Sequence, residues 1–209
     1  MSTHQLEAPL RLPPPARLSF EEFLAWLEDD TWAEWVDGEV EIMSPASLPH
    51  QLLQGFLECV LSIYATSKGL GVVLGAPFLM RLPEELRRGR EPDLLFVATR
   101  NRSRLKHTYL DGPADLVVEI ISPESILRDR GAKFAEYEMA GVPVYWMLDP
   151  IRKRADFYQL GADGRYRAVE PTDGVYRSAV VPGFWLRVEW LWQDPLPPVL
   201  AVVKELGIA

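Results

Sequence analysis

A run of apolar residues that carries one acidic side chain constrains the fold of this chain more than any other feature. The run covers residues 116–121, most of them β-branched, and Glu119 lies inside it. A near-continuous apolar run is typical of a strand whose two faces are both covered, so it predicts helices packed on both sides of a sheet. A carboxylate within such a strand costs much free energy unless it is paired or binds a metal ion. Glu119 is therefore the first candidate functional residue.

Further apolar runs surround this one, and the pattern as a whole predicts an α/β fold. Turn residues bound each run, and the Asp37-Gly38 dipeptide predicts a hairpin. Apolar residues at helical spacing predict three helices, which cover residues 19–30, 50–68 and 127–140. We expect a mixed central sheet flanked by helices, with an N-terminal helix and hairpin. Its strands should lie at about residues 72–82, 93–97, 116–121 and 143–149.

Length and composition indicate one folded domain. The chain has 209 residues, of which 48% are hydrophobic and 25% charged, and this balance is ordinary for a globular protein. Three consecutive prolines at positions 13–15 favour an extended arm over residues 1–18, followed by a single domain over residues 19–209. Neither a signal-like start nor an apolar run of membrane-spanning length is visible, so we expect a cytoplasmic protein that makes no membrane contact.

Charge is unevenly distributed along the chain. The net charge of -8 argues against a general nucleic-acid coat or a membrane-surface binder. Residues 81–106 nevertheless contain eight Lys or Arg against four acidic residues. This segment is either a phosphate-binding stripe or an ordinary solvated surface. The candidate nucleic-acid contacts within it are Arg88, Arg90, Arg102, Arg104 and Lys106.

A second carboxylate can join Glu119. Asp93 directly precedes the apolar run at residues 94–97, so it can meet Glu119 if the two strands are neighbours. Asp115 points to the same face as Glu119 but lies about 13 Å away along the strand, too far to share one ion. Two carboxylates with backbone and water oxygens form a site suited to Mg²⁺ or Mn²⁺.

The order of Pro92-Asp93 followed by Glu119 resembles the PD-(D/E)xK nuclease superfamily, which has the restriction-endonuclease-like fold. More narrowly, the chain is similar to the large bacterial family described as "putative restriction endonucleases". The matching pieces cover roughly residues 20–150. They are Glu34-Trp35-Val36-Asp37-Gly38-Glu39, His50, Glu91-Pro92-Asp93, residues 116–123, Asp129, Lys133, Tyr137 and residues 141–150.

The resemblance implies a metal-dependent endonuclease that hydrolyses phosphodiester bonds, with duplex DNA as its default substrate. It implies that Asp93, Glu119 and the backbone carbonyl of Ile120 hold Mg²⁺ or Mn²⁺. Glu34 is an implied further ligand, although it can equally be one more member of an acidic run. His50 is implied to orient a water or a phosphate, although a polar residue at the start of a helix is an equal alternative.

One position departs from the superfamily pattern. The usual lysine would fall two residues after Glu119, where this chain has Ile121. Lys133 in the next predicted helix is the obvious substitute, and Asp129 and Tyr137 share its helix face at i, i+4, i+8 spacing. The alternative is an ordinary surface ion pair between Asp129 and Lys133.

The net charge leaves other functions open. A homodimer that lines one cleft with basic residues would reconcile an acidic chain with DNA binding. A catalytically silent nuclease fold, kept as a binding scaffold, is one alternative. A metal hydrolase that acts on small phosphoesters is another, since it needs no basic cleft.

Overall fold

The computed structural model describes residues 16–27, 31–122 and 128–208, with the backbone alone at residues 128–130. The helices are α1 (Phe20–Trp26), α2 (Leu48–Ser67), α3 (Phe134–Ala140) and α4 (Val199–Glu205). The strands are β1 (Ala33–Val36), β2 (Glu39–Ile42), β3 (Gly71–Gly75), β4 (Leu79–Arg81), β5 (Arg88–Arg90), β6 (Leu94–Ala98), β7 (Tyr109–Asp111), β8 (Leu116–Ile120), β9 (Val144–Asp149), β10 (Arg154–Leu160), β11 (Tyr166–Ala168), β12 (Val175–Arg177) and β13 (Trp185–Arg187). The extended arm was predicted over residues 1–18, and residues 1–15 of it lie outside the described residues.

The central sheet is mixed, as the sequence predicts. Its six strands have the order β11-β10-β9-β8-β6-β3; β8 and β9 are parallel and the other neighbours are antiparallel. Every residue of β8 is buried. Side chains on one face, such as Val118, pack in a cluster with α2, and those on the other face, such as Val117, pack in a cluster with α3. The apolar run at residues 116–121 is buried because both faces of its strand are covered.

One predicted strand region divides between two sheets. Residues 72–82 were expected in the central sheet, but only β3 lies there, and β4 belongs to a second sheet with the order β2-β1-β5-β4-β7. Pro77 lies between the two strands and cannot donate a ladder hydrogen bond, so the pairing is interrupted at that point. The predicted hairpin around Asp37-Gly38 is β1 and β2 of this second sheet.

The helices agree with prediction except at their ends. α2 begins at Leu48, two residues earlier than expected, and Gly69 follows it with a positive φ of 64°. α1 ends at Trp26 instead of near residue 30, because the backbone of Leu27 is already extended. The third predicted helix begins with a π-helical turn at Arg128–Lys133 that continues into α3. A π-helical turn contains more residues than an α-helical turn, so the i, i+4 spacing that predicts Asp129 and Lys133 on one helix face does not apply here.

Candidate active site

The candidate site lies at the edge of the central sheet where β8 and β9 end. β6 runs antiparallel to β8, so its first residues reach the same edge. A cavity of about 550 Å³ opens there. Its lining includes residues from the first turn of α2, the segment before β6, the end of β8 and the segment after β9, together with Lys133. Trp32 and the segment from Ile42 to the start of α2 complete the lining, so six separate parts of the chain converge on one cavity.

Asp93 and Glu119 lie next to each other across two strands. The register of β6 and β8 pairs Leu94 with Val118, and its extension by one residue places Asp93 opposite Glu119. Both side chains are buried, with 7% and 3% of their surface exposed, and both line the cavity. One oxygen of Asp93 accepts a hydrogen bond of 2.6 Å from the backbone N–H of Ile120. The sequence correctly predicts that the two carboxylates meet.

His50 contacts the other oxygen of Asp93. Its Nε2 lies 3.1 Å from Asp93 Oδ1, and the imidazole is buried in the first turn of α2. A second residue of α2, Gln54, donates a hydrogen bond of 3.0 Å to the backbone carbonyl of Asp93. These contacts fix the position of Asp93 relative to α2. His50 does lie at the start of a helix, as the alternative interpretation has it, but its side chain also lines the cavity and contacts Asp93.

Lys133 brings its ammonium to Glu119, although it comes from a different element than the superfamily lysine. Its Nζ lies 2.8 Å from Glu119 Oε1 and 3.0 Å from Glu34 Oε1, and the side chain is 2% exposed. A buried lysine between two carboxylates does not fit the alternative of a surface pair with Asp129. The side chain of Asp129 itself lies outside the described residues.

The position of the missing lysine is filled by an apolar side chain. Ile121 is buried in the cluster that includes Tyr137 of α3. The hydroxyl of Tyr137 donates a hydrogen bond of 2.7 Å to Glu119 Oε1. Burial raises the pKa of Tyr137 well above its ordinary value, and the charge of Glu119 adds to this effect, so the phenol keeps its proton and remains a donor. Tyr137 and Lys133 thus hold the same carboxylate oxygen.

Glu34 lies behind the cavity and does not line it. Its side chain is fully buried; Oε2 lies 2.7 Å from Arg90 Nη1, and Oε1 accepts hydrogen bonds from Lys133 Nζ and from the backbone N–H of Glu91. Burial by itself would raise the pKa of Glu34, but the charges of Lys133 and Arg90 lower it to about 2. Because Glu34 does not line the cavity and two cations hold its carboxylate, the geometry supports a residue that anchors Lys133 and gives no support to the expected metal ligand.

Arg88 and Arg90 belong to the same buried network and are removed from the expected nucleic-acid contacts. Arg90 is 2% exposed, and its Nε and Nη2 donate hydrogen bonds of 2.8 and 2.9 Å to Glu136. Arg88 donates a hydrogen bond of 2.7 Å to Glu136 and forms an ion pair of 2.7 Å with Asp37. Guanidinium groups that already pair with carboxylates behind the site are not available to phosphates.

The remaining expected contacts, Arg102, Arg104 and Lys106, follow the far end of β6. Asp93 precedes this strand and Thr99–Arg104 follows it as a short 3₁₀ helix, so the five residues of β6 separate them by about 16 Å. Arg104 also donates a hydrogen bond of 3.0 Å to the carbonyl of Pro113. These residues do not line the cavity that contains Asp93. Any phosphate that they contact lies away from this site, and their role in nucleic-acid binding stays a prediction.

The sequence analysis missed Glu91 as a site residue. This side chain lines the cavity and is 4% exposed, and its Oε2 is buried without a hydrogen-bond partner in the described part of the chain. Burial raises the pKa of Glu91 to about 8, and the nearby charge of Glu34 contributes. One signal was present in the sequence: Glu91 precedes Asp93 by two residues and therefore has the same strand parity.

The cavity floor is suited to a hard divalent cation. Asp93 and Glu119 supply carboxylate oxygens, and the backbone of Ile120 adds a carbonyl to the lining. Mg²⁺ typically takes one or two protein carboxylates and completes its shell with water and substrate oxygens. Within residues 16–27, 31–122 and 131–208, no three His, Cys, Asp or Glu side chains are spaced to hold an ion. The donor chemistry therefore fits a two-carboxylate site and not a cage made of protein ligands.

Comparison with known proteins identifies the family. The model of the Uma2 family, described as "Putative restriction endonuclease", matches residues 20–189. The chain belongs to the Uma2 family. Membership indicates a nuclease, and it agrees with the superfamily resemblance noted in the sequence.

A solved structure supports the fold of this Uma2 protein. The chain superposes with a TM-score of 0.68 on the crystal structure of "a putative nuclease belonging to DUF820" from Anabaena variabilis. The two are 16% identical, and the match covers 85% of this chain and 98% of that chain. The fold is thus restriction-endonuclease-like. No curated protein matches the sequence significantly. None of the described helices has the length and hydropathy that crossing a bilayer requires.

Proposed function

We propose that this Uma2 protein is a metal-dependent endonuclease that hydrolyses phosphodiester bonds of DNA. The observation that carries the proposal is the position of Lys133, whose buried ammonium lies 2.8 Å from Glu119 at the cavity floor, beside Asp93. A lysine beside two carboxylates is suited to phosphodiester hydrolysis, because it offers ligands for a cation and a fixed positive charge. Here a helix supplies the lysine in place of the strand.

Asp93, Glu119 and the carbonyl of Ile120 would hold Mg²⁺ or Mn²⁺. A bound ion at this position supplies Lewis-acid chemistry and lowers the pKa of a coordinated water. His50 and the N–H of Ile120 keep the carboxylate of Asp93 in place. Preformed contacts of this kind reduce the reorganisation that metal binding requires.

Lys133 would stabilise the negative charge that develops on the phosphate. Glu34 fixes the ammonium from the other side, and Arg90 in turn fixes Glu34. A charge that is held by buried partners needs no rearrangement when the reaction occurs, and this makes it more effective than a mobile surface lysine.

A homodimer remains part of the proposal. The exposed Arg102 and Lys106 lie at the opposite end of β6 from the cavity, so they do not serve the site of their own protomer. A two-fold assembly would place basic residues of one protomer near DNA bound by the other. Sedimentation of the purified protein tests this: we expect a dimer near twice 23.7 kDa, and a monomer at all concentrations would contradict it.

The function is tested with circular substrates, which only an endonuclease can open. Purified protein is incubated with circular plasmid and circular single-stranded DNA in Mg²⁺, Mn²⁺ or EDTA. We expect linear or nicked products with either ion and none in EDTA, and we expect Asp93→Asn to be inactive. Intact circles under every condition would contradict the proposal, and cleavage that persists in EDTA would contradict its metal dependence.

The catalytically silent scaffold is the second candidate, and one contact favours it. Lys133 and Tyr137 both occupy Glu119 Oε1, so an incoming cation must compete for that carboxylate. A silent copy would bind Mn²⁺ weakly and with equal affinity after Glu119→Gln. A calorimetric titration of both proteins separates the two candidates. A small-phosphoester hydrolase, in contrast, would turn over bis(p-nitrophenyl) phosphate and leave circular DNA intact.

A further inference from the structure

The cavity buries the groups that would perform the chemistry. Asp93 and Glu119 are 7% and 3% exposed, and Lys133 is 2% exposed. A phosphodiester must enter a space of about 550 Å³ to reach them. Enzymes that modify bases at buried reacting atoms act on single strands or on nucleotides that have left the base stack, and we extend this constraint to a buried phosphodiester site.

The mouth of the cavity is apolar where a duplex-binding surface would be basic. Ile42 and Ile151 line it and are 50% and 68% exposed. Among the lining residues that the structure describes, the one Lys or Arg is Lys133, which Glu119 and Glu34 already hold. An intact duplex presents phosphates to basic side chains, whereas apolar side chains contact the faces of bases that are exposed or unstacked.

Two buried polar atoms in the cavity lining have no hydrogen-bond partner among the described residues. One is the donor Nε1 of Trp32, and the other is Oε2 of Glu91, which donates while the carboxyl group keeps its proton and accepts once the group is ionised. Buried polar groups are nearly always hydrogen-bonded in folded proteins, so these two atoms point to a ligand that carries both donors and acceptors. The edge of a nucleobase that is not engaged in pairing has this chemistry.

From these three observations we propose that the substrate enters the site as an unpaired nucleotide strand. The scissile phosphate lies at the floor beside Asp93 and Glu119, and an adjacent base packs against Ile42 and Ile151 within reach of the free polar atoms. This inference rests on the proposed nuclease function and names the substrate class of the same site. The preferred substrates are single strands, flaps and bubbles, and an intact duplex is a much poorer substrate.

The first test compares three DNA substrates of one sequence: a single strand, a duplex with an unpaired bubble, and a full duplex. In Mg²⁺ or Mn²⁺ we expect the single strand and the bubble to be cleaved at least about tenfold faster than the full duplex. A paired strand must lose its pairing and stacking before it enters the cavity. Equal or faster cleavage of the full duplex would overturn the inference.

The second test measures binding without catalysis. Fluorescence anisotropy of a labelled single strand in EDTA gives Kd for the wild type and for Ile151→Ser. Leu200→Ser is the matched control, since Leu200 is 71% exposed on α4 and does not line the cavity. We expect Kd to rise about fivefold or more for Ile151→Ser, the scale of one lost base contact, and to stay unchanged for Leu200→Ser.

The two tests also separate this inference from the function on which it rests. If no DNA is cleaved with any metal, the nuclease proposal fails, while single-strand binding that weakens only in Ile151→Ser still supports the inference. If circular plasmid is cleaved but single strands bind no better than duplex, the inference fails alone. Equal effects of Ile151→Ser and Leu200→Ser would also overturn it.

Discussion

Lys133 shows how a side chain from one element can replace a residue missing from another. The strand position that carries lysine in the wider superfamily is occupied by Ile121, which packs beneath α3. Lys133 directly precedes α3 on that same face of the sheet, so its long side chain reaches Glu119. A lysine from another element thus places a positive charge beside Glu119.

Removing this charge should cost activity more than metal binding. We expect Lys133→Met to lower turnover by about 10²–10³, the scale for the loss of one preorganised charge. Affinity for Mn²⁺ should stay equal or rise, because a cation no longer competes near Glu119. The measurements are single-turnover cleavage and calorimetry, with the exposed Lys204→Met as control. If Lys133→Met fails to fold, the same measurements are made on the double variant Lys133→Met/Glu34→Gln. This variant removes both members of the buried Lys133–Glu34 ion pair, so it leaves neither charge of that pair without its partner. Unchanged turnover in a folded variant would contradict the role.

Acid should weaken the fold through Glu34. Its pKa is about 2 in the folded protein against an ordinary 4.5, so the unfolded chain binds more protons between these values. The stability that Glu34 contributes is complete above about pH 4.5 and is lost as pH falls towards 2. A shift of this size corresponds to roughly 3 kcal/mol.

Urea denaturation at pH 6 and pH 3 measures this loss. We expect the decrease in the free energy of unfolding between these pH values to be smaller in Glu34→Gln than in the wild type. Glu85→Gln, at an exposed position, should show the same decrease as the wild type. An identical pH dependence in all three proteins would show that Glu34 does not carry the effect.

At the scale of elements, the site exists because four secondary-structure ends meet at one sheet edge. The positions of Asp93 and Glu119 in their predicted strands indicated that the two carboxylates can meet if the strands are neighbours, and the pairing of β6 with β8 meets that condition. The partners of Glu34 were not predictable in the same way. Arg90 is 56 residues away from it in the chain, and their contact depends on how β1 and β5 pair in the second sheet.

The close packing of β3 against β6 gives a prediction for a single glycine. A Cβ at Gly71 would lie 2.2 Å from the backbone carbonyl of Val97 and 2.7 Å from the ring of Phe96. Backbone cannot move aside cheaply, so Gly71→Ala should lower the free energy of unfolding by about 1–3 kcal/mol or more.

A second glycine is the matched control for this substitution. Gly55 lies in α2, and a Cβ there meets nothing within 4 Å. Gly55→Ala should therefore raise stability by about 0.5–1 kcal/mol, because alanine favours the helix. Thermal unfolding of both variants checks the pair, and a stable Gly71→Ala would contradict the predicted register of β3 and β6.

At the scale of the whole molecule, the fold class was easier to predict from the sequence than the positions of the charged side chains. The α/β class and mixed sheet follow from apolar runs that are local in sequence. The division of residues 72–82 between two sheets does not, since both strands have similar composition and only their tertiary partners differ. The basic segment was not predictable for a related reason: Arg88 and Arg90 pair with Glu136, which is distant in sequence, so Arg90 is buried and Arg88 is partly buried.

The position of these arginines also explains how an acidic protein can keep a charged site. The network of Arg88, Arg90, Glu34, Glu136 and Lys133 lies beneath the cavity, and it continues to Glu119 on one side and to Asp37 on the other. Its cations are paired with carboxylates and add little positive potential at the surface. The overall charge of -8 therefore counts against a protein that wraps a duplex more than against one that admits a single strand.

The most direct test of this account is the rate of DNA cleavage as Mg²⁺ or Mn²⁺ is titrated from zero, measured for the wild type, Asp93→Asn and Glu119→Gln on one single-stranded substrate. The account predicts a rate that rises with the ion and saturates in the wild type. It predicts that both variants remain folded and lose at least about 10² of that rate, because each removes a ligand of the ion. Wild-type cleavage that does not depend on the ion, or variants that cleave as fast as the wild type, would contradict it.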